Sequence, residues 1–251
     1  MKKIAIVVIA LCAAQAFAGS LPFKRGTNCR YLDDYPYTTT QGSGFFQNKA
    51  YYYSLESTFP EIRAKGFDHV RLSVDLVKYY DSEKDCFRAS GEFAITNMDL
   101  VLNRIMDAGL YVQMLQGAVR NFDPASDATK TIFKRIWQLA AERYQNWSDK
   151  LGFELLNEPH MNDDESVTAL NNLFKETVAI IRQTNPTRLI LWPLPGKSCV
   201  GSLDKSQWIQ LPEDHSNIAL VAHCYAPVKF THQMFSHVDL DDAARLESVW
   251  Q

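Results

Sequence analysis

The chain has 251 residues, 46% of them hydrophobic and 22% charged, a globular composition with enough apolar material for one sizeable core. Its formal net charge is -3, and Lys and Arg are scattered rather than gathered into a basic tract, so nothing points to nucleic acid as a partner. Tyr31, Tyr35, Tyr37, Tyr51, Tyr52, Tyr53, Tyr79 and Tyr80 crowd the first third, suited to packing or to lining a cleft.

Lys2-Lys3 precede an apolar stretch from Ile4 to Ala14, and Ala16-Phe17-Ala18 fits a small-x-small cleavage site. Residues 1–18 are therefore expected to be a secretory signal peptide, cleaved after Ala18, with an apolar run too short to span a bilayer. Leu11 before Cys12 is a poor fit to lipoprotein processing. The expectation is a secreted or periplasmic protein with no membrane attachment after cleavage. Export permits disulfides among Cys29, Cys86, Cys199 and Cys224, but their pairing stays open, and no C-x-x-C suggests a zinc or redox site.

Phe23–Asn28 reads as a short first strand, and residues 30–50 as a long irregular loop. A helix from Ser54 to Ala64 is stopped by Gly66, and His69–Val74 is the second strand. Asn97 is expected to cap a helix with Leu100, Val101, Ile105 and Met106 on its inner face. Gly109 ends it, and Leu110–Leu115 is the third strand. The next helix, Ala125–Asn146, carries a stripe of Ile132, Ile136, Leu139, Ala140 and Tyr144.

Leu151–Leu156 is the fourth strand. Its apolar run alternates poorly, as in a strand buried on both faces of a parallel sheet. Pro159 cannot donate to a ladder, so the strand should stop there, leaving Asn157 and Glu158 at its carboxyl end. A helix over Glu165–Thr184 turns Leu170, Leu173, Phe174, Val178 and Ile181 inward, and Asn185-Pro186-Thr187 breaks it. Arg188–Pro193 and Asn217–His223 are the fifth and sixth strands, and a further helix begins at Asp241.

Strand and helix alternate throughout, the signature of a parallel α/β sheet. No G-x-G-x-x-G follows the first strand, which disfavours a dinucleotide-binding sheet. The predicted fold is an incomplete (β/α)8 TIM barrel with about six βα units present and the last two missing. In such barrels chemistry sits at the carboxyl ends of the strands. There the sequence places Arg71, Asn157, Glu158, Trp192, His223 and Tyr225, a set suited to acid–base work on a polar substrate. A metal-dependent reading would use His160, Asp163, Asp164 and His223, but it lacks an H-x-H on the first strand and any tight ligand spacing.

Four stretches bring a family into view: Gly66-Phe67-Asp68-His69-Val70-Arg71-Leu72, Ala108-Gly109-Leu110-Tyr111-Val112, Phe153-Glu154-Leu155-Leu156-Asn157-Glu158-Pro159, and His223-Cys224-Tyr225-Ala226-Pro227 leading to Phe230-Thr231-His232-Gln233. In this order they resemble glycoside hydrolase family 5, the cellulase and mannanase family of retaining β-glycanases. After the signal peptide read over 1–18, the resemblance implies a partial catalytic barrel over 19–251. Glu158 then looks like the general acid/base, with a pKa raised by partial burial and a second carboxylate nearby. Asn157 looks like the donor to the sugar 2-hydroxyl, Arg71 like the cation orienting the nucleophile, and His223 and Tyr225 like contacts to substrate and nucleophile. Trp192 and Tyr35 are candidates for sugar stacking, and His160 for a substrate contact.

Two departures stand out. The family usually ends its third strand with a histidine, where this chain reads Met114-Leu115-Gln116-Gly117, leaving Gln116 as a substitute hydrogen-bonder. The family nucleophile, a glutamate on a seventh strand, is expected to be absent from this chain, and Glu247 lies in an apparent helix and does not replace it. The resemblance thus implies a secreted endoglucanase truncated at its C-terminus, inactive as it stands and marginally stable. Its partner would be a polysaccharide: β-glucan first, then mannan or xyloglucan. No metal or organic cofactor is implied. The alternative is a non-catalytic carbohydrate-binding protein derived from the same fold.

Overall fold

A computed structural model describes residues 21–29, 57–91, 93–117 and 121–225. The predicted signal peptide, the loop with Tyr35, the Ala226–Gln233 part of the last matching stretch, and the helix with Glu247 lie outside the described residues. Six strands form one sheet: β1 (Gly26–Cys29), β2 (His69–Val74), β3 (Tyr111–Gln116), β4 (Leu151–Glu154), β5 (Ile190–Pro193) and β6 (Ile218–Val221). They are hydrogen-bonded in chain order and every pairing is parallel, the arrangement of an incomplete (β/α)8 barrel. Among the described residues β1 and β6 each pair on one side only. The intervening helices are α1 (Thr58–Ala64), α2 (Ile95–Asp107), α3 (Asp127–Tyr144) and α4 (Asp164–Thr184). None of the described helices is long and apolar enough to cross a membrane.

Side-chain alternation along each strand divides the sheet into two faces. Val70, Leu72 and Val74 of β2, Val112 and Met114 of β3, Leu151 and Phe153 of β4, and Ile190 and Trp192 of β5 belong to the main core. The helices supply its other half, through residues such as Val101 and Ile105 of α2, Trp137 of α3 and Phe174 of α4. On the opposite face Leu191 and Val221 join Phe23 in a small separate cluster. Arg71, Gln113 and Glu154 share that second face by parity. A strand in this sheet is therefore apolar towards the helices and free to be polar inside.

Two helices are phased differently from their sequence stripes. Ala94 rather than Asn97 occupies the N-cap of α2, and Asn97 lies inside the helix, buried. Met98 and Leu102 join Val101 and Ile105 in the core, while Leu100 is 43% exposed. In α3 the buried face is Phe133, Ile136, Trp137, Ala140, Ala141 and Tyr144, and Ile132 is 40% exposed. Aromatic rings decide the phase of α3: Phe133 stacks on Phe174 at 5.9 Å, and Trp137 meets Phe153 at 5.4 Å. The inward residues expected for α4 are all buried as predicted.

Arg188 ties the barrel's lower end together. Its Nη1 donates to the carbonyls of Ser148 and Leu151 at 2.6 and 3.1 Å, and its Nη2 to those of Tyr144 and Trp147 at 2.8 and 3.2 Å. The guanidinium thus caps the end of α3 and fixes the entry to β4. Arg188→Met removes all four of these bonds, although Tyr144 O and Ser148 O each keep a backbone donor, from Trp147 N–H and Leu151 N–H. It should destabilise the protein by about 3 kcal/mol or more, read as a lower urea midpoint with an unchanged m-value.

Candidate active site

The fourth strand ends earlier than its apolar run suggests. Its ladder stops at Glu154, and Leu155–Asn157 continue as extended backbone pinned from both sides. Leu155 N–H donates to Leu191 O at 3.2 Å, Trp137 Nε1 donates to Leu155 O at 3.2 Å, and Asn157 N–H donates to Gln116 O at 2.8 Å. Glu158 then adopts φ +45°, a left-handed conformation uncommon for a non-glycine residue. The turn beyond it is clamped by the β5–β6 connection, where Lys197 N–H donates to Pro159 O at 2.8 Å and Gly196 N–H to Met161 O at 2.9 Å. That clamp is itself left-handed at Gly196, Lys197 and Ser198. A strained carboxylate-bearing turn held by a second strained turn is a device for aiming one side chain.

Glu158 Oε1 is the meeting point of β4 and β6. His223 Nδ1 lies 2.8 Å from it, and Tyr225 OH donates to it at 2.9 Å. The bond to His223 lowers the Glu158 pKa to about 2. Burial, the second-largest effect, opposes the shift, while Tyr225 and the nearby Arg71 charge act in the same direction as His223. This corrects the raised pKa expected from the sequence. That expectation needs a like charge close by, and among the described residues no carboxylate belongs to the groups that set the ionisation of Glu158.

Arg71 sits on β2 with its side chain 12% exposed. Its Nε donates to Glu154 Oε2 at 2.8 Å and its Nη2 to Glu154 Oε1 at 2.6 Å. The same Nη2 donates to Asn157 Oδ1 at 3.1 Å. Burial works against the guanidinium charge, but Glu154, with help from Glu158, raises its pKa overall. Two bonded sets, Arg71 with Asn157 and Glu158 with His223 and Tyr225, thus meet at the adjacent residues Asn157 and Glu158, and the five predicted strand-end residues come together there. Glu154 belongs to the first set as well, although strand position alone did not single it out.

Trp192 does not belong to the group. It is 1% exposed, on the helix-facing side of β5, with its ring edge-to-face against Phe174 at 5.2 Å. No sugar can stack on it there, so its assignment as a substrate contact is corrected to a core residue. Gln116 is also turned away from the cleft. Its Oε1 accepts from Leu76 N–H at 2.9 Å and its Nε2 donates to Gly117 O at 3.1 Å, which fastens the turn after β2. His160 is exposed and lines a cleft of about 250 Å³ with Asn121, Phe122, Asn157, Glu158 and Met161. Asp163 caps α4 by accepting from Ser166 N–H at 2.9 Å, and Asp164 accepts from Trp208 Nε1 at 2.6 Å. Among the described residues no three His, Cys, Asp or Glu side chains gather as a metal-ligand group.

A parallel α/β barrel sheet with a carboxylate, an amide, a guanidinium, an imidazole and a phenol gathered at its strand ends places its polar groups on the face where barrel enzymes carry their chemistry. The chain belongs to the cellulase family, glycosyl hydrolase family 5, which matches residues 32–251. It is 28% identical to cellodextrinase A of Ruminococcus flavefaciens over 188 residues, 71% of this chain and 53% of that protein. It is 30% identical to endoglucanase C of Acetivibrio thermocellus over 189 residues, 71% of this chain and 52% of that one. The chain therefore spans about half the length of these curated relatives. The cellulose synthase subunit Z of Clostridioides difficile superposes with a TM-score of 0.68 at 29% identity, covering 86% of this chain and 66% of that one.

Proposed function

We propose that this chain carries the acid/base half of a retaining β-glycanase, an endoglucanase acting on β-1,4-glucan. The observation that carries the reading is the pair Asn157 and Glu158, side by side in one cleft, the first held by Arg71 and the second by His223 and Tyr225. In this reading Glu158 protonates the glycosidic oxygen and later takes the proton from the attacking water, while Asn157 donates to the sugar beside the scissile bond. Membership of the cellulase family and the endoglucanase names of its relatives support that substrate class.

Retention requires a second carboxyl about 5 Å away to act as nucleophile. Among the described residues Glu154 is the acid closest in sequence to Glu158 on this strand, and it is buried and engaged by Arg71 and Gln113. We therefore propose that the 251-residue chain binds β-glucan oligosaccharides without turning them over. The depressed pKa of Glu158 favours this binding-only behaviour, because a proton donor must hold its proton near working pH. The test is calorimetric binding of cellotriose alongside release of reducing ends from carboxymethylcellulose, for the chain and its Glu158→Gln variant. Binding without release is expected. Hydrolysis lost in Glu158→Gln would overturn the inactivity and keep the glycanase reading, whereas absence of binding would sink both.

Export is proposed on Lys2-Lys3, the apolar Ile4–Ala14 stretch and Ala16-Phe17-Ala18. Protein recovered outside the cytoplasm should begin at Gly19 on N-terminal sequencing, and an intact Met1 there would contradict it.

A further inference from the structure

The interior face of the sheet holds an acid that the proposed chemistry does not use. Glu154 is fully buried, three positions before Asn157 on the same strand and its extension. Both of its oxygens are engaged: Arg71 grips it with Nε and Nη2, and Gln113 Nε2 donates to Oε2. A guanidinium gripped as a fork by one carboxylate has its plane and direction set. From that fixed position Arg71 Nη2 also reaches Asn157 Oδ1. An asparagine whose Oδ1 is occupied must turn its Nδ2 the other way, and Asn157 lines the cleft.

We propose that Glu154 is a positioning residue for sugar recognition, locking Arg71 so that the Asn157 amide offers its Nδ2 donor to a substrate hydroxyl. Glu158 is the other carboxylate whose charge acts on Arg71. Without Glu154 the guanidinium is drawn towards it, and Asn157 loses the contact that sets its orientation. The identity of the ligand, though not the role of Glu154, rests on the glycanase reading.

Glu154→Gln is nearly isosteric, and Gln113 Oε1, buried without a partner, is available to accept from the new amide. The experiment compares the affinity of the 251-residue chain for methyl β-cellobioside and for its analogue lacking the 2-hydroxyl on the methyl-bearing ring. The unmodified chain should prefer the hydroxylated sugar by about tenfold, the worth of one well-placed hydrogen bond. Glu154→Gln should abolish that preference while leaving the affinity for the deoxy sugar unchanged. A retained preference, or an equal loss on both sugars, overturns the proposal.

Gln113→Leu breaks the third bond to Glu154 but leaves the fork, so it should keep the preference; losing it there would mean general packing and would also overturn the proposal. Should Glu154→Gln fail to fold, Glu154→Asp keeps the charge but falls one methylene short of the fork, and the same loss of preference is expected. If the unmodified chain binds neither sugar, the glycanase reading fails on its own. The Asn157 side chain of the free protein then decides: held in one χ1 rotamer by Arg71, it should average over several in the Glu154 variant, read from its Hα–Hβ three-bond couplings, and an unchanged single rotamer overturns the positioning role.

Discussion

Replacing Arg71 with methionine should cost about 3–5 kcal/mol of stability, because it strands a buried carboxylate. Glu154 is fully buried, and the guanidinium supplies two of the three side-chain bonds that it accepts. Removing the guanidinium leaves the charge with one amide donor and little access to water. A domain stable by about 5–15 kcal/mol would lose a large share of that margin. The double variant Arg71→Met/Glu154→Leu should recover most of the loss, since two apolar side chains remove the charge and its partner together. Urea unfolding of the two singles and the double gives the coupling directly. A loss below about 1 kcal/mol for Arg71→Met, the range of surface ion pairs, would mean that water reaches the pair.

The second large effect concerns the charge on Glu158. Its carboxyl should titrate at about 2 by carbon NMR, and His223→Ala should move the midpoint most of the way back towards 4.5. Tyr225→Phe should move it in the same direction by less, since the His223 bond is the larger cause. The folded-state pKa lies below the ordinary value, so ionised Glu158 contributes stability that is fully present above about 4.5 and is lost as the pH falls towards about 2. His223→Ala should flatten that part of the stability profile, and an unaltered profile would remove His223 as the cause. Function follows from the same sign. A carboxyl ionised this firmly holds no proton to donate at neutral pH, and a second carboxylate about 5 Å away is the kind of charge that would lift it into the range of a proton donor.

Much of this was legible in the chain. The order of six strands and their helices follows from apolar runs of strand length separated by helical periods, because parallel strands need a crossover between them. The convergence of Arg71, Asn157, Glu158, His223 and Tyr225 follows from the same order, since carboxyl ends of parallel strands share one rim. The phases of α2 and α3 were less legible. Leu100 and Ile132 are as apolar as their buried neighbours, and in α3 the rings of Phe133 and Trp137 decided which face turned inward.

By itself, then, the sequence brought Arg71, Asn157, Glu158, His223 and Tyr225 to the rim, and it placed Trp192 there as well, which the core claims instead. The tertiary structure decided what each one touches there. Trp192 and Leu191 are adjacent apolar residues, yet one packs under α4 and the other inside the sheet, because a strand covered on both faces carries no polar alternation to tell them apart. Glu154 looked like one more residue of the opening motif until its register brought it to Arg71 from a strand two places away. The ionisation of Glu158 was settled in the same way. It depends on where two donors and one guanidinium come to rest, and those arrive from other strands, with distances that no spacing along the chain encodes.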